Sequence, residues 1–321
     1  MNTKKDILVL VCVITYNQEE YIAECLESLI AQQTNFNFEI IVGEDCSLDK
    51  TRPIIQAYVD KYPDLIKPLF YETNVGAVEN LKQVYIKAKG KYIAHIDGDD
   101  IALPNKLQKQ FDILEENADC NVCTHDMIRI DAKSINQNND WVYPENTYDL
   151  FDLYHKLPFF AHSSKMFRNK YPSSFWDDLL SENYILDIDI HVANTLDGKI
   201  FHISKLLGGY RVGTGISFEK NVNPILPLGA KRLFNKALII YKDEPKKLAE
   251  IESLYALAML QCAYNYAIFD KDSVLFKEYV NLSLEKKFIG MTQLFFKLAT
   301  YFPRLSFALF RLRSQIRHSL G

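Results

Sequence analysis

The sequence predicts an α/β fold in which a mostly parallel sheet is flanked by helices, followed by a helical C-terminal extension. Two observations carry this prediction. Short apolar runs rich in β-branched residues alternate with segments of helical period along the N-terminal third of the chain, which is the pattern of repeated β-α-β units. From about residue 224 onward only helical patterns remain. We therefore expect an α/β domain over residues 1–222 and a helical region with a basic amphipathic tail over residues 223–321.

The first predicted element is an uninterrupted apolar run from Ile7 to Thr15, which is typical of a strand buried on both faces. A helix follows, because apolar residues recur at helical spacing from Tyr21 to Ile30, and we expect Asn17 as its N-cap. The pattern then repeats as strand, helix, strand, helix and strand over residues 38–42, 49–61, 67–71, 76–88 and 92–96. Such repeats predict a mostly parallel sheet with helices on both faces.

The composition is that of an ordinary folded protein of 321 residues, with 48% hydrophobic residues and a net charge of −4. Because an acidic chain has no overall attraction to nucleic acid, we expect no nucleic-acid partner. The six cysteines are scattered rather than spaced as a disulfide framework, which favours a reducing, cytoplasmic compartment. We interpret the single C-x-x-C pair, Cys120 and Cys123, as core packing rather than a zinc site. No apolar run reaches the roughly 18 residues that a membrane-spanning helix needs.

Polar residues follow each predicted strand at the point where the strand ends. In parallel sheets ligands bind beyond the carboxyl ends of the strands, so these loops are where chemistry is expected. Taken singly, the same residue types are also ordinary in turns and helix caps. The residues are Thr15, Tyr16, Asn17 and Glu19 after the first strand, Glu44, Asp45 and Ser47 after the second, Asn74 and Gly76 after the third, and Asp97, Gly98, Asp99 and Asp100 after the fourth.

The acidic cluster from Asp97 to Asp100 is the strongest functional signal. Three carboxylates within four residues repel one another unless a cation or hydrogen-bond donors neutralise them. A Mn²⁺ or Mg²⁺ ion that bridges carboxylates and a diphosphate meets this need, and a solvated turn is the alternative. An EF-hand is excluded because Gln108 stands where its twelfth-position glutamate would be. The sequence also lacks the G-x-x-x-x-G-K-[ST] and G-x-G-x-x-G loops of nucleoside triphosphatases and dinucleotide-binding enzymes.

A family resemblance is carried by three segments, which read VCVITYNQEEYIAECLESLIAQ, EIIVGEDCSLDKT and NVGAVENLKQVYIKAKGKYIAHIDGDDIALPNKLQKQ. Together they resemble the family 2 inverting glycosyltransferases of GT-A fold, over about residues 7–125 and, more weakly, to about residue 218. The resemblance implies an enzyme that uses a nucleoside-diphosphate sugar, expected to be a UDP-sugar. It implies a nucleotide site formed by Thr15, Tyr16, Asn17, Glu19, Asp45 and Asn74, with Asp97 near the ribose, Asp99 on a diphosphate-bound Mn²⁺ or Mg²⁺, and Arg211 closing over the diphosphate.

The resemblance also implies a general base. An inverting transfer needs a group that takes the proton of the attacking acceptor hydroxyl. The best match to the family's acidic motif is LSENYILDIDIHVA, where Leu186 replaces a glutamate and Asp187 takes the place of the catalytic aspartate. The alternative is that Asp187 is only an N-capping acid, and Asp189 and Glu182 are held as reserves for the base. In the stretch GGYRVGTG, Tyr210 and Arg211 match the family but Gly213 replaces its histidine.

The C-terminal region contains two predicted helices separated at Asp243 to Pro245, followed by a basic, aromatic-rich tail split at Pro303. The tail, from Lys286 to Gly321, has seven lysines and arginines and no acidic residue. We expect it to contact the inner leaflet of a membrane, and packing on its own domain is the alternative. His125 and His162 lie where relatives meet the acceptor, although a lone histidine is more often structural.

The resemblance suggests a glycan or lipid-linked acceptor and a role in surface polysaccharide, capsule or lipopolysaccharide assembly, in the cytoplasm or on the inner face of the membrane. Two other classes remain open. A GT-A-like nucleotidyltransferase would need a Gly-rich, Arg-containing loop after the first strand, which ITYNQEE does not provide. A non-catalytic module that binds sugar nucleotides or glycans would explain the altered positions Leu186 and Gly213, but the retained Asp187 argues against it.

Overall fold

The computed structural model describes residues 6–157, 159–181, 185–213 and 221–320. The chain divides into two compact units, Met1–Gly215 and Ile216–Gly321. The first unit contains the strands and the second is helical, while the exact domain boundary after residue 222 stays a prediction.

The first unit alternates strands and helices along its N-terminal half, as its apolar periodicity predicts. Every predicted strand and helix between residues 7 and 97 is present, with ends shifted by a few residues. The elements are β1 (Ile7–Thr15), α1 (Ile22–Ile30), β2 (Asn37–Glu44), α2 (Thr51–Lys61), β3 (Ile66–Phe70), α3 (Ala77–Lys87), β4 (Tyr92–Asp97), β5 (Ile101–Ala102), α4 (Lys106–Glu116), β6 (Cys120–Ile130), β7 (Asn146–Tyr148), α5 (Leu150–His155), β8 (Met166–Arg168), α6 (Ser173–Leu180), α7 (Asp187–Thr195) and β9 (Lys199–Arg211).

The strands form one sheet in the order β3-β2-β1-β4-β8-β6-β9-β5, with β7 paired to β9. β1 runs parallel to β2 and β4, β2 runs parallel to β3, and β6 runs parallel to β9. β8 is antiparallel to both β4 and β6. The prediction of a mostly parallel sheet flanked by helices is confirmed. The sheet has two parallel blocks, β3-β2-β1-β4 and β6-β9, and the short strand β8 lies between them.

The core of the first unit centres on β1, whose residues from Val9 to Val13 are all buried. Helix α1 covers it with an apolar face at helical spacing, formed by Ile22, Cys25, Leu26 and Leu29. Burying each side chain of this size stabilises the fold by roughly 1.5–3 kcal/mol. Cys120 and Cys123 lie in β6 and are buried members of the same core.

The expectation that Asn17 caps α1 is wrong. The helix begins at Ile22, five residues later, with Tyr21 in the N-cap position. Asn17 instead adopts a left-handed backbone conformation, with φ of 52°, and its Oδ1 accepts a hydrogen bond from the Leu48 N–H at 2.8 Å. Asparagine tolerates this conformation better than most residues because its short polar side chain can bond locally.

The second unit is helical: α8 (Ile225–Ile240), α9 (Pro245–Asn265), a π-helical turn (Tyr266–Asp270), α10 (Ser273–Lys286), α11 (Met291–Ala299) and α12 (Pro303–Leu320). The predicted breaks before Pro245 and at Pro303 are both present. Aromatic rings build its core, with Phe276, Phe296 and Phe310 in mutual contact at ring-centroid distances of 4.9–6.1 Å. In the described part of the chain, no helix is at once long and apolar enough to cross a membrane.

Candidate active site

The loops that follow β1, β2 and β4 lie side by side, because these three strands are adjacent and parallel. The Asp45 N–H donates to the Thr15 carbonyl at 3.1 Å, and the Gly98 N–H donates to the Ile14 carbonyl at 3.0 Å. Residues predicted from separate stretches of sequence are thus held at one edge of the sheet by backbone hydrogen bonds.

The loops after β1 and β2 are joined by reciprocal hydrogen bonds. The Asn17 N–H donates to Ser47 Oγ at 2.9 Å, and the Lys50 N–H donates to Glu19 Oε2 at 2.8 Å. The polar atoms of Asn17 and Glu19 therefore fix the shape of this edge. Tyr16 lies between them with 43% of its surface exposed, so its ring is open to a ligand.

Asp45 and Asn74 are also brought together. The buried Asp45 carboxylate accepts hydrogen bonds from the N–H groups of Val75 and Gly76 at 2.6 and 2.9 Å. Asn74 Nδ2 donates to the Asp45 carbonyl at 3.0 Å. The structure thus places both residues at the predicted nucleotide edge, and their contact with a nucleotide stays a prediction.

Gly98 allows the acidic cluster to lie against the β1 loop. A Cβ atom at this position would come within 2.6 Å of Gln18 Oε1 and 2.8 Å of Thr15 Cβ. Contacts below 3.0 Å are not tolerated by a real Cβ atom, so any larger residue would push the two loops apart. The glycine of the D-G-D-D cluster therefore has a packing reason of its own.

Asp97 is held by side chains that come from two other places in the fold. His95 Nε2 lies 3.2 Å from Asp97 Oδ1, and Ser163 Oγ donates to Oδ2 at 3.2 Å while accepting from the Asp97 N–H at 2.9 Å. Burial opposes ionisation of Asp97, but these hydrogen bonds and the charge of Lys165 outweigh it and lower the pKa of its carboxyl. Asp97 is therefore an oriented carboxylate.

Asp100 has a different environment from Asp97. It is buried, and its Oδ1 accepts a hydrogen bond from the Arg211 N–H at 2.8 Å. Burial and the negative charges of Asp97 and Asp99 raise the pKa of Asp100 well above its usual range. Asp100 thus ties the acidic loop to β9, whereas Asp97 and Asp99 are partly exposed.

The arrangement fits a divalent cation that is shared with a substrate. Asp97 and Asp99 are partly exposed and supply hard carboxylate oxygens, the ligands that Mg²⁺ and Mn²⁺ prefer. Among the described residues, no group of three or more histidine, cysteine or acidic side chains could hold a metal ion by itself. Mg²⁺ is usually bound through one or two carboxylates plus substrate phosphates, so Asp99 and a diphosphate would together complete such a site.

Arg211 lies at the end of β9 with its side chain fully buried. Its Nε donates to the Asp99 carbonyl at 2.8 Å and one terminal nitrogen donates to the Asp131 carbonyl at 2.7 Å. The other terminal nitrogen pairs with Glu24 at 2.7 Å, and the guanidinium stacks 4.5 Å from the centroid of the Tyr21 ring. All three guanidinium nitrogens of Arg211 thus donate to acceptors within the protein. The predicted contact of Arg211 with the diphosphate stays a prediction.

We expect Arg211→Met to destabilise the protein by about 2–3 kcal/mol, because it removes several hydrogen bonds from one buried charged group. The urea midpoint of unfolding measures this loss. Arg129→Met is the matched control, since Arg129 lies in the neighbouring strand β6 and stacks on Trp141 at 5.4 Å; its loss should stay at or below about 1 kcal/mol. Equal midpoints for the two variants would contradict the anchoring role of Arg211.

Asp187 is the first residue of α7, and it is not the capping residue. Leu186 occupies the N-cap position, and its N–H donates to Asp189 Oδ2 at 2.9 Å. The capping bond therefore belongs to Asp189, which is buried. Asp187 itself is exposed. The surrounding protein and the charge of Asp97 nevertheless raise its pKa to about 6, against the opposing charge of Lys165. Glu182 lies outside the described residues.

Three residues of this site are not predicted by the sequence: His95, Ser163 and Lys165. His95 has a signal, because residues two apart on a strand share a face and Asp97 is the predicted site residue. Ser163 and Lys165 lie more than sixty positions from Asp97 along the chain and have no such signal. The two histidines considered for the acceptor, His125 and His162, are both buried, and burial lowers the pKa of each.

Two cavities lie away from the acidic cluster, Asp97 to Asp100. One, of about 390 Å³, is lined by Asn169 and Trp176 among others, and one of about 560 Å³ is lined by Ile7, Glu39 and Lys67 among others. The lining residues lie at or near the amino ends of the parallel strands, whereas Asp45 and the acidic cluster lie at the carboxyl ends of β2 and β4. Neither cavity is therefore the predicted site.

Comparison with known proteins agrees with this geometry. A model of glycosyl transferase family 2 matches residues 10–173, just over half of the chain. Over 200 residues the chain is 34% identical to an uncharacterised protein of Mycobacterium tuberculosis, covering 62% of this chain and 57% of that protein. Over 111 residues it is 36% identical to the Bacillus subtilis protein named teichuronic acid biosynthesis glycosyltransferase TuaG, covering 34% of this chain and 43% of that protein. The match thus spans 57% of the length of the first relative and 43% of the length of the second.

A crystal structure of S. aureus TarS, residues 1–349 in complex with UDP-GlcNAc, has a similar fold. The TM-score is 0.62 at 18% sequence identity, and the match covers 98% of this chain and 92% of that chain. At this identity the likeness concerns the fold, which is the GT-A fold expected from the sequence. Because the family match spans its strands β1 to β8 and includes the acidic loop, the chain belongs to glycosyl transferase family 2.

Proposed function

We propose that the protein transfers a sugar from a nucleoside-diphosphate sugar, expected to be a UDP-sugar, to a hydroxyl of a glycan or lipid-linked acceptor with inversion at the anomeric carbon. One observation carries the proposal: Asp187, an exposed residue at the start of α7, lies within electrostatic reach of Asp97 at the carboxyl end of β4, and its pKa is raised to about 6. A base works best when its pKa lies near the working pH. The UDP-GlcNAc bound to S. aureus TarS supports the class of sugar donor.

The chain's own residues then divide the reaction between them. Asp187 takes the proton of the acceptor hydroxyl as the hydroxyl oxygen attacks the anomeric carbon from the side opposite the diphosphate. Thr15, Tyr16, Asp45 and Asn74 hold the nucleotide, and Asp97, oriented by its hydrogen bonds, binds near the ribose. A Mn²⁺ or Mg²⁺ ion held by Asp99 would neutralise charge that develops on the leaving diphosphate. No covalent intermediate on the protein is needed, because a single displacement inverts the configuration.

Release of nucleoside diphosphate tests the proposal. UDP-, GDP- and dTDP-sugars are each incubated with mixed glycan acceptors, with manganese or with EDTA. Metal-dependent release from one class of sugar donor would support the proposal. Metal-dependent binding of a sugar nucleotide without any turnover would favour a non-catalytic binding module instead, and the absence of any binding would contradict the assignment.

We further propose that the enzyme works on the inner face of a membrane, which it contacts through its last two helices. α11 has an outward apolar face at spacings of three and four residues, formed by Met291, Leu294, Phe295 and Leu298, which are 40–75% exposed. On α12 the residues Leu305, Leu309 and Leu312 continue the pattern at 51–66% exposure. The opposite faces of both helices are already used, because Phe296, Ala299, Phe307 and Phe310 are buried.

The charge of the C-terminal tail also supports contact with a membrane. From Lys286 to Gly321 the chain has seven basic residues and no acidic one, although the whole protein has a net charge of −4. Helices that combine an exposed apolar face with basic residues lie in the plane of a membrane interface, and anionic lipid attracts each basic residue by about 1 kcal/mol. A lipid-linked acceptor would be met at the same surface.

We expect Leu298→Ser to weaken binding to vesicles of phosphatidylcholine and phosphatidylglycerol about tenfold, because it removes roughly 1.5 kcal/mol of apolar burial in the interface. Co-sedimentation with the vesicles measures the binding. Leu257→Ser is the matched control, since Leu257 is 55% exposed on α9, outside the apolar face. Equal weakening by both substitutions, or equal binding to vesicles without phosphatidylglycerol, would exclude the proposed contact.

A further inference from the structure

Lys165 is a lysine sealed inside the protein next to the proposed active site. Its side chain is 0% exposed, and its Nζ has no hydrogen-bond partner within the described ranges. The ammonium lies 5.0 Å from the centroid of the Phe167 ring and 5.9 Å from that of Tyr85. Lysine is almost never fully buried unless its charge is paired, so the placement of Lys165 needs an explanation.

Hydrogen bonds of residues 163–165 hold Lys165 close to the acidic cluster. Its carbonyl accepts the His95 N–H at 3.0 Å, and Ser163, two residues earlier, holds both the N–H and the carboxylate of Asp97. The ring of His95 in turn lies 5.8 Å from that of Tyr85, which flanks the ammonium. Lys165 therefore belongs to the shell that supports the proposed active site.

The groups around Lys165 differ in their charge. Two carboxylates, those of Asp187 and Asp97, act on it electrostatically. The third acidic group is the Cys12 thiol, whose pKa burial raises, so that it stays neutral. Three histidines lie in the same cluster, with ring centroids 4.0 Å apart for His95 and His162 and 5.1 Å apart for His162 and His191. Burial lowers the pKa of all three, and the charge of Lys165 lowers each further.

Resting on the proposed function, we propose that Lys165 is a positioning residue for sugar transfer: its buried ammonium is the counter-charge that holds Asp187 anionic beside Asp97 and a bound diphosphate. A diphosphate brings further negative charge to an edge that already has several carboxylates. Without the positive charge of Lys165, repulsion by Asp97 and the diphosphate would favour the protonated form of Asp187, which cannot accept a proton.

The direction of the effect follows from the groups that face Asp187. Desolvation by the surrounding protein, Asp97 and Asp189 raise the pKa of Asp187 to about 6, and the charge of Lys165 lowers it. Asp187 also acts electrostatically on Tyr85 and Tyr210, and burial raises the pKa of both hydroxyls, so they stay neutral. Burial lowers the pKa of Lys165 itself to about 7. Both partners are therefore charged between about pH 6 and pH 7, and loss of Lys165 should move the acidic limb of the rate profile to higher pH.

The test compares Lys165→Met with Lys106→Met. Lys106 is also buried, but its Nζ donates to Gln110 at 2.8 Å and neither Asp187 nor Asp97 is among the groups that shift its pKa. Both variants lose one buried ammonium, so a purely structural role predicts the same result for both. We expect the ratio of kcat at about pH 6 to kcat at about pH 8 to fall up to tenfold for Lys165→Met, as one unit of pKa predicts. The ratio should stay unchanged for Lys106→Met and return toward wild type for Lys165→Arg.

Asp187→Asn separates failure of this inference from failure of the proposed function. If Asp187→Asn abolishes turnover while Lys165→Met keeps the wild-type ratio, the role of Lys165 is wrong and the base stands. If Asp187→Asn stays active, the base assignment and the counter-charge role are both wrong. Should methionine prevent folding, Lys165→Gln provides the same neutral comparison in a side chain of similar length.

Discussion

Asp187→Asn is expected to lower kcat by about 10²- to 10⁴-fold, the contribution that a positioned general base makes to proton transfer. The amide has the shape of the carboxylate but cannot accept the acceptor's proton. Asp187 is not the helix cap, because the Leu186 N–H bonds to Asp189 instead, so folding should be unaffected. KM for the sugar nucleotide should change little, since the nucleotide is proposed to bind to other residues. Release of nucleoside diphosphate measures kcat, and thermal unfolding measures stability.

The pH dependence of the wild-type enzyme checks the same assignment. A base must be deprotonated to work, so turnover should fall as the pH drops through the pKa of Asp187, which the surrounding protein and Asp97 raise to about 6. An aspartate with an ordinary pKa of about 3.9 would keep the enzyme active well below pH 5. An acidic limb close to pH 4 would contradict the electrostatic environment that the structure gives Asp187.

Two neighbouring acids serve as controls. Asp189→Asn keeps a side-chain oxygen that can accept the Leu186 N–H, so it should change stability little and leave most of the turnover. Glu182→Gln tests the other reserve for the base. Loss of turnover in Glu182→Gln or Asp189→Asn, with an active Asp187→Asn, would transfer the role of base to that residue.

The parallel half of the fold could be predicted from sequence because local patterns determine it. β1 reads as an unbroken apolar run and is buried on both faces, and α1 reads as a helical stripe and packs on it. Antiparallel β8, only three residues long, is inserted between β4 and β6 from a distant part of the chain. No local periodicity distinguishes so short a strand from a loop, so the joint between the two parallel blocks could not be predicted.

The site divides in the same way. Asp45, Asp97 and Asp99 follow strands whose parallel order brings them together, so the sequence could predict their proximity. The sequence predicts Asn17 as a helix cap, but its side chain instead accepts a hydrogen bond from a tertiary partner, the Leu48 N–H. The supporting role of Lys165 depends on a short 3-10 helix, His162–Ser164, that packs beside β4, and on burial by rings from other elements. Such surroundings exist only in the folded protein.

Asp99→Asn is expected to abolish the metal dependence of UDP binding and to lower turnover by at least about 100-fold, because a divalent ion contributes several kcal/mol of charge stabilisation at a leaving group. The Asp99 carbonyl is fixed by Arg211 Nε at 2.8 Å, and the residue is partly exposed. Its carboxylate is therefore presented on an anchored backbone, which suits a ligand of a metal that is shared with a diphosphate.

Asp100→Asn is the matched control, since it makes the same substitution one residue further along. Asp100 is buried and accepts the Arg211 N–H, and burial together with the two neighbouring acids raises the pKa of its carboxyl. An amide resembles that protonated carboxyl, so Asp100→Asn should keep the metal dependence. Titration of UDP with manganese or with EDTA compares the two variants by calorimetry. If Asp100→Asn loses the effect of manganese and Asp99→Asn keeps it, Asp100 is the metal ligand. If both keep it, the metal that assists UDP binding is not held at this acidic loop, and the proposed role of Asp99 is wrong.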